Sequence, residues 1–342
     1  MTQHGLDVIS IILPAYNVEK FIGKCIESLE KQSYPEIEIL VVDDGSTDST
    51  GQVVHEFQKQ YNNIRYIYQN NQGAGPARNN GLSNATGKFV IFVDPDDWAD
   101  RKMVENLVKA QSENNADLVC SGYTDVLYES GKEIRQIQRI PRARKLLTQQ
   151  EARNGYVELL TSEVLAPPTR KLYKMEIIQK YDIRFPTLRR SQDIVFNYRY
   201  YNFVNSCVVL NESLYNYRIQ GQREYIAKLK PDYYLTVEWI YNDMMKVLRS
   251  WQLDDIRNDV QTVTNYMENL LMLNIESNLL RGNTIDGLLS NDTAKMIILK
   301  SQPSKFFNYL MRYGAINCRV TMLKSLVRLR LILRIVKRRI WK

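Results

Sequence analysis

Apolar runs and helical stripes alternate along the first part of the chain. Val8 to Leu13 is a continuous apolar run, the pattern of a strand buried on both faces of a parallel sheet. Phe21, Ile22, Cys25, Ile26 and Leu29 then recur at helical spacing, with Asn17 placed to cap that helix. Ile37 to Val42 predicts a second strand, Thr50 to Tyr61 a helix and Ile64 to Tyr68 a third strand. Pro76 to Ala85 predicts another helix, Phe89 to Val93 a fourth strand and Leu118 to Tyr123 a fifth. This alternation points to an α/β domain with a mainly parallel central sheet.

The rhythm then changes. Asp125 to Gln138 reads as a hairpin turning at Ser130-Gly131, followed by a basic loop from Arg139 to Lys145. Helices are predicted over Glu151–Thr161, near Tyr173–Lys180 and over Asp193–Phe203, with short strands at Val208–Leu210 and Leu214–Tyr217. From Pro231 onward only helical periodicity remains, through Met244, Val247 and Leu248 and again through Met267, Leu270, Leu271 and Asn274. The expected organisation is an α/β domain over 1–225, an α-helical C-terminal region over 226–318 and a basic amphipathic helix over 319–342.

Composition narrows the classes. With 342 residues, 44% hydrophobic and 25% charged, the chain can fill about two domain cores and is neither disordered, collagen-like nor a secreted mini-protein. Cys25, Cys120, Cys207 and Cys318 form no CxxC pair, which argues against a zinc site or a disulfide framework and for a reducing compartment. His4 and His55 are the only histidines, so carboxylates are the natural chemical groups. No signal-peptide pattern or spanning apolar stretch is found, and a cytoplasmic location is expected.

Charge placement matters more than the net +8. From Ser301 to Lys342 the chain carries 11 Lys/Arg and no Asp/Glu, so the rest is close to neutral. Met322, Leu326, Leu329, Leu333, Val336 and Ile340 share one helical stripe, and Lys324, Arg328, Arg330, Arg334, Lys337, Arg338, Arg339 and Lys342 lie off it. Such a helix suits an anionic membrane surface, with packing on the body as the plainer alternative. No base-stacking or groove-reading motif accompanies the charge, and nucleic acid is not an expected partner.

In open α/β sheets, ligands bind outside the carboxyl ends of the strands. Four polar segments follow predicted strands: Pro14–Asn17, Asp43–Asp48, Asn70–Gly73 and Asp94–Trp98. An Asp94-x-Asp96 pair at a strand end suits a hard divalent cation shared with substrate phosphates, and also serves as a simple turn or helix cap. Asp48 reads as the cap of the next helix. Tyr16 is either a stacking platform for a planar base or a surface aromatic.

Together these segments resemble the family 2 glycosyltransferases of the GT-A fold, a Rossmann-like architecture that binds nucleotide-diphosphate sugars. The resemblance rests on ISIILPAYNVEKFIGKCIESLEKQSYPEIEILVVDDGSTDST, NNQGAGPARNNGLSNATGKFVIFVDPDDW and IRFPTLRRSQDIVFNYRYY, and covers roughly residues 7 to 220. It implies that Pro14, Tyr16, Asp43 and Asp44 hold the nucleobase and ribose, and that Asn71, Gly73 and Arg78 lie along the donor with Arg78 facing the diphosphate. It implies that Asp94 contacts ribose or metal-bound water and that Asp96 ligates Mn²⁺ or Mg²⁺. Where relatives carry Glu-Asp, this chain has Gln192-Asp193, so Asp193 remains as the implied base for the acceptor hydroxyl; a helix cap is its structural alternative. Arg189 and Arg190 are candidates for a phosphate-bearing acceptor or are solvated charges. Leu214 to Arg218 resembles the strand that closes the donor site.

The reading that follows is a metal-dependent, inverting transferase. It would move a sugar from a UDP-sugar to a lipid-linked glycan in bacterial capsule or exopolysaccharide synthesis, from the inner face of the cell membrane. A protein or wall-polymer acceptor, or a non-catalytic nucleotide-sugar-binding scaffold, are the rivals. A homo-oligomer is compatible with the sequence.

Overall fold

The structure, a computed structural model, describes residues 6–220, 229–302, 315, 322–323 and 325–327. The chain divides into two compact units, Met1–Gln220 and Gly221–Lys342.

In the first unit, β1 (Ile9–Ala15), β2 (Ile37–Asp43), β3 (Ile64–Tyr68) and β4 (Phe89–Phe92) form the parallel half of a sheet. They are joined through α1 (Ile22–Glu30), α2 (Thr50–Gln58) and α3 (Ala74–Asn84). Every residue of β1 is buried, as a central strand covered on both faces requires. α1 buries Ile22, Cys25, Ile26 and Leu29, the stripe read from the sequence.

Beyond β4 the sheet is mixed. Its order is β3-β2-β1-β4-β9-β6-β10-β5, with β7 on β6 and β8 on β10. β5 (Trp98–Ala99) and α4 (Met103–Asn114) precede β6 (Leu118–Glu129) and β7 (Lys132–Arg139), whose turn uses positive φ at Ser130 and Gly131. Of the segment expected as a basic loop, residues 140–143 form no helix or strand, while Arg139 ends β7 and Arg144 begins β8 (Arg144–Leu146), which pairs antiparallel with β10 (Cys207–Gln220). α5 (Gln149–Thr161) opens on a capping box between Thr148 and Glu151.

The helix expected near Tyr173 begins later. Tyr173 lies in β9 (Lys171–Lys174), antiparallel to both β4 and β6, and α6 (Met175–Lys180) follows. α7 (Gln192–Tyr201) leads into β10, a single strand where two were expected. Register shifts between Val209 and Ser213 and between Ser213 and Asn216 absorb the polar Asn211-Glu212 pair without ending the strand.

The second unit contains α8 (Tyr233–Ser250), α9 (Ile256–Leu280), α10 (Asp286–Ser290) and α11 (Asp292–Lys300). Val237, Ile240, Met244 and Leu248 of α8 and Val263, Met267, Leu271 and Ile275 of α9 are buried at helical spacing. Asn274 and Asn278 donate from Nδ2 to the carbonyls of Lys230 (2.9 Å) and Pro231 (3.1 Å), fixing the start of the unit. Of the expected basic helix over 319–342, only Met322, Leu323 and Ser325–Val327 are described, and they are helical; its remaining residues lie outside the described ones. No helix among the described residues is long and apolar enough to cross a membrane.

Candidate active site

Because β1 to β4 run parallel, their carboxyl ends share one sheet edge, and the four polar segments all emerge there. The Asp44 N–H donates to the Ala15 carbonyl (2.8 Å) and the Gln69 N–H to the Asp43 carbonyl (2.9 Å), tying three of the loops together. Pro14 is buried and Tyr16 is exposed. Asn17 does not cap α1: the cap position is Phe21, without a side-chain bond, while Asn17 adopts φ +52° and its Oδ1 accepts from the Thr47 N–H at 2.8 Å. A short polar side chain in a left-handed turn serves the neighbouring loop better than a helix four residues away. Asp48 acts just ahead of α2, accepting from the Thr50 N–H (3.0 Å) and the Glu19 N–H (3.1 Å).

Asp43 and Asp44 are both buried and turned in different directions. Asp43 accepts from the Ser46 N–H (2.8 Å) and from the Tyr66 hydroxyl (2.6 Å). Asp44 accepts from Gln69 Nε2 (2.7 Å), the Gln72 N–H (2.9 Å) and the Gly73 N–H (2.7 Å). Its carboxylate therefore holds the loop that leads into α3. Asn71, Gly73 and Arg189 meet around a cavity of about 320 Å³ in front of that helix.

Three carboxylates follow β4. Asp94 Oδ1 accepts from Arg78 Nη2 at 2.7 Å, and its N–H donates to the Tyr215 hydroxyl at 3.1 Å. Asp97 is buried, accepting from the Tyr215 hydroxyl (2.7 Å) and the Arg218 N–H (2.8 Å). Between them, the Asp96 carboxylate makes no ion pair among the described residues, and only its own backbone N–H and the more distant Arg218 favour its charge. Burial raises its pKa to about 6, with the charge of Asp94 adding to the shift and Arg218 opposing it. Arg218 Nε also donates to the Asp96 carbonyl (2.9 Å), and its guanidinium lies over the rings of Tyr128 (4.3 Å) and Phe21 (4.9 Å).

The last segment comes from far along the chain. Asp193 sits in the first turn of α7, whose cap position is Ser191, so the cap-only alternative for Asp193 does not describe its place. Burial raises its pKa from the ordinary aspartate value; Arg78 and the first-turn N–H groups oppose the shift, and Asp94 adds to it. Arg78 is thus the cation between Asp94 and Asp193. It is buried, with its guanidinium 5.4 Å from the Phe185 ring. Asn79, one residue on, grips the backbone of Phe185: Nδ2 donates to its carbonyl (2.8 Å) and Oδ1 accepts from its N–H (2.9 Å). Phe185 in turn stacks on Phe196 of α7 (centroids 4.0 Å apart), and both rings meet Phe92 at the end of β4. Arg190 is half-buried and Arg189 exposed.

A divalent cation fits this arrangement. Asp96 is an uncompensated carboxylate, and Asp94 keeps Oδ2 free of the Arg78 bond. Among the described residues no group of three or more His, Cys, Asp or Glu forms a complete metal cage. One or two carboxylates completed by substrate phosphates and water is the usual environment of Mg²⁺ and similar hard ions.

The segments Asp94–Trp98 and Leu214–Arg218 are both legible in the sequence, but the bonds that join Asp97 to Tyr215 and Arg218 are not. The strand Leu214–Arg218 is visible in the pattern, but its antiparallel partner is the two-residue β5, too short to leave a periodic signal.

Residues 10–182 match the family described as Glycosyl transferase family 2. The chain belongs to that family. It is 36% identical over 216 residues to Glycosyltransferase GlyA of Streptococcus pneumoniae serotype 4, covering 63% of this chain and 31% of GlyA. It is 34% identical over 215 residues to Glycosyltransferase GlyG of the same organism, covering 62% of this chain and 71% of GlyG. A third relative, poly(ribitol-phosphate) β-N-acetylglucosaminyltransferase TarS of Staphylococcus aureus, is 31% identical over 224 residues, 64% of this chain and 36% of TarS. The chain therefore spans about a third of GlyA and of TarS. The fold is shared with the crystal structure of S. aureus TarS 1–349 in complex with UDP-GlcNAc, at a TM-score of 0.68 and 21% identity over 94% of this chain and 90% of that one. This is the GT-A architecture that the family resemblance implied.

Proposed function

We propose that this family 2 member transfers a sugar from a UDP-sugar to an acceptor hydroxyl with inversion at the anomeric carbon. The observation that carries the reading is the convergence of Asp94, Asp96, Arg78 and Asp193 at one sheet edge from three separated stretches of sequence. Pro14, Tyr16 and Asp43 would form the nucleobase and ribose end, with Asp44 shaping the loop through Gly73. Arg78 offers a planar cation to the diphosphate. Asp96, with Asp94, would hold Mn²⁺ or Mg²⁺, which when bound neutralises the leaving diphosphate as a Lewis acid. The structure of a mannosyltransferase from Pyrobaculum calidifontis with GDP-Man and Mn²⁺ has a related fold, at a TM-score of 0.54.

Asp193 would take the proton from the acceptor hydroxyl as that oxygen attacks. The upward direction of its pKa shift, caused by burial, suits the role, because it makes the carboxylate a stronger base. The acceptor would be a lipid-linked or wall-polymer glycan; the relative TarS acts by name on poly(ribitol-phosphate). A non-catalytic binder would need Asp96 but would have no use for a carboxylate at Asp193.

The test is a thermal-shift panel of nucleotide sugars with Mn²⁺ or with EDTA, since a ligand that binds only the native state raises its stability by mass action. A UDP-sugar that stabilises the protein only with metal supports the reading. Equal stabilisation with EDTA would remove the metal from it.

A further inference from the structure

A second cavity opens beside β6. It encloses about 530 Å³, within the range of small-molecule sites, and three arginines, Arg139, Arg142 and Arg170, border it with Tyr123, Ser162 and the single carboxylate Glu163. None of these residues belongs to the donor site. Their position is tied to it through the sheet. Cys120 of β6 pairs with Lys171 of β9, and the Ser121 N–H bonds to the Arg170 carbonyl (3.1 Å), at the level where Phe92 of β4 bridges Thr169. The cavity therefore lies at the sheet edge from which Asp94 to Asp97 emerge.

Arg170 is the decisive group. It is 5% exposed, yet no carboxylate pairs with it among the described residues. Its Nε donates to the Ser121 carbonyl (3.1 Å), its Nη2 to the Glu163 carbonyl, and its guanidinium stacks on Tyr123 at 4.1 Å. Its hydrogen bonds all go to neutral groups, and the Glu163 carboxylate favours its charge only from beyond ion-pair distance; a buried cation so placed is costly unless a closer anion completes it. Arg170 also adopts φ +56°, a conformation that a long side chain rarely takes without a compensating role. Arg139 is already paired with Asp125 (2.9 Å), and the Glu163 carboxylate accepts from the Tyr123 hydroxyl (2.9 Å); Arg142 is exposed. Gly122, which also lines the cavity, leaves no room for a side chain: a Cβ there would lie 2.5 Å from the Arg139 carbonyl and 2.9 Å from the Glu212 carbonyl.

We infer that this cavity binds a phosphate group carried by the acceptor, with Arg170 and Arg142 as its ligands. The inference rests on the transferase reading above for the word acceptor, but not for the anion site itself. Two kinds of acceptor share this chemistry, a polymer of polyol phosphates and a lipid-diphosphate-linked sugar, and either would be anchored here while its hydroxyl reaches Asp193.

The test titrates glycerol phosphate, with glycerol as the uncharged control, into the full chain saturated with UDP and Mn²⁺ so that the donor phosphate site is filled. Glycerol phosphate is expected to bind and glycerol not to. Arg142→Ala, at an exposed position where folding is not at stake, is expected to weaken binding by about tenfold, the scale of one charge-assisted hydrogen bond. Glu163→Gln is expected to strengthen it, because the only carboxylate bordering the cavity is neutralised. Arg170→Lys tests the buried group, with melting temperature measured beside it. Slow hydrolysis of the UDP-sugar, needing no acceptor, should be unchanged in Arg142→Ala. Transfer to an oligomer of glycerol phosphate and to a lipid-diphosphate-linked sugar then separates the two sources, since KM for the true acceptor should rise in Arg142→Ala while kcat holds. Unaltered glycerol phosphate binding in both Arg142→Ala and Glu163→Gln would overturn the site. Loss of UDP-sugar hydrolysis in the parent with phosphate binding intact would instead overturn the transferase reading and leave the anion site standing.

Discussion

Asp193 and Asp96 are both carboxylates whose charged forms the fold disfavours, and the same physics gives them different tests. For Asp193 the native pKa lies above its unfolded value because of burial. Between the two values the native state binds more protons than the unfolded chain, so stability falls as pH rises through that window, and the penalty is complete above the native pKa. Asp193→Asn removes the penalty. The variant is therefore expected to melt at the same or a higher temperature at neutral pH, with the difference vanishing below about pH 4, where the carboxyl is protonated in both states. Transfer should nonetheless fall by at least about a hundredfold, the value of a positioned base. In the parent, transfer should decline with falling pH earlier than an ordinary carboxylate would dictate, and that acid limb should be missing from the residual activity of the variant. A variant that melts early but transfers normally per folded molecule would show Asp193 to be structural. Asp96→Asn tests the other role: a neutral amide is a poor ligand for a hard cation, so the rise in UDP-sugar affinity with Mn²⁺ should be lost in titrations while the fold survives. Retention of that rise would move the ligand assignment to Asp94.

At the scale of elements, the site depends on how α3, the Ile183–Pro186 segment and the first turn of α7 lock together. Asn79 clamps Phe185, Phe185 stacks on Phe196, and Gly75 lets α7 approach: a Cβ there would sit 2.3 Å from Gln192 Oε1 and 2.9 Å from the Pro186 carbonyl. Gly75→Ala is expected to cost about 1–3 kcal/mol through overpacking, and to lower transfer more than UDP binding, because it displaces the turn that carries Asp193. Combining it with Gln192→Ala should recover only part of the loss, since the Pro186 carbonyl cannot move aside; full recovery, read from melting temperature and transfer rate, would show that the side chain alone is responsible. Little of this lock shows in the sequence. α3, AGPARNNGLSN, has almost no apolar stripe, and its glycines and asparagines make sense only against their partners. β9 was hidden for a related reason: its Lys171 is fully buried, with Nζ bonded to the Pro167 carbonyl, so the strand reads as polar and Tyr173 as the start of a helix. By contrast, β1 and β3 have continuous or alternating apolar patterns and were legible almost to the residue. The carboxylates at strand ends were legible as a group, but their division of labour was not. Asp44 and Asp97 turn inward to hold loops, while among the described residues Asp96 is bound by no other side chain, a distinction made by Gln69, Tyr215 and Arg218 from elsewhere in the chain.

For the whole molecule, charge is distributed by segment. The chain carries 46 Lys/Arg against 38 Asp/Glu, yet 11 of those cations fall after residue 300 where no acid occurs. A transferase whose acceptor is lipid-linked would gain from being held at an anionic surface, since confinement raises the effective concentration of its acceptor. Each Lys or Arg brought near such a surface contributes about 1 kcal/mol, and an apolar stripe inserted beside them adds to the attraction. We therefore expect that deleting Thr321–Lys342 leaves UDP-sugar hydrolysis by the rest of the chain unchanged, because every proposed donor contact lies in the first unit. The full chain should co-sediment with vesicles rich in anionic lipid, and the truncated chain should remain in the supernatant. Salt should release the full chain, since the screening length shrinks from about 10 Å at 0.1 M to about 3 Å at 1 M. Neutral vesicles should bind neither form. If the truncated chain sediments with anionic vesicles as well as the full one does at low salt, the basic segment is not the membrane contact, and its apolar stripe is better explained by packing on the protein.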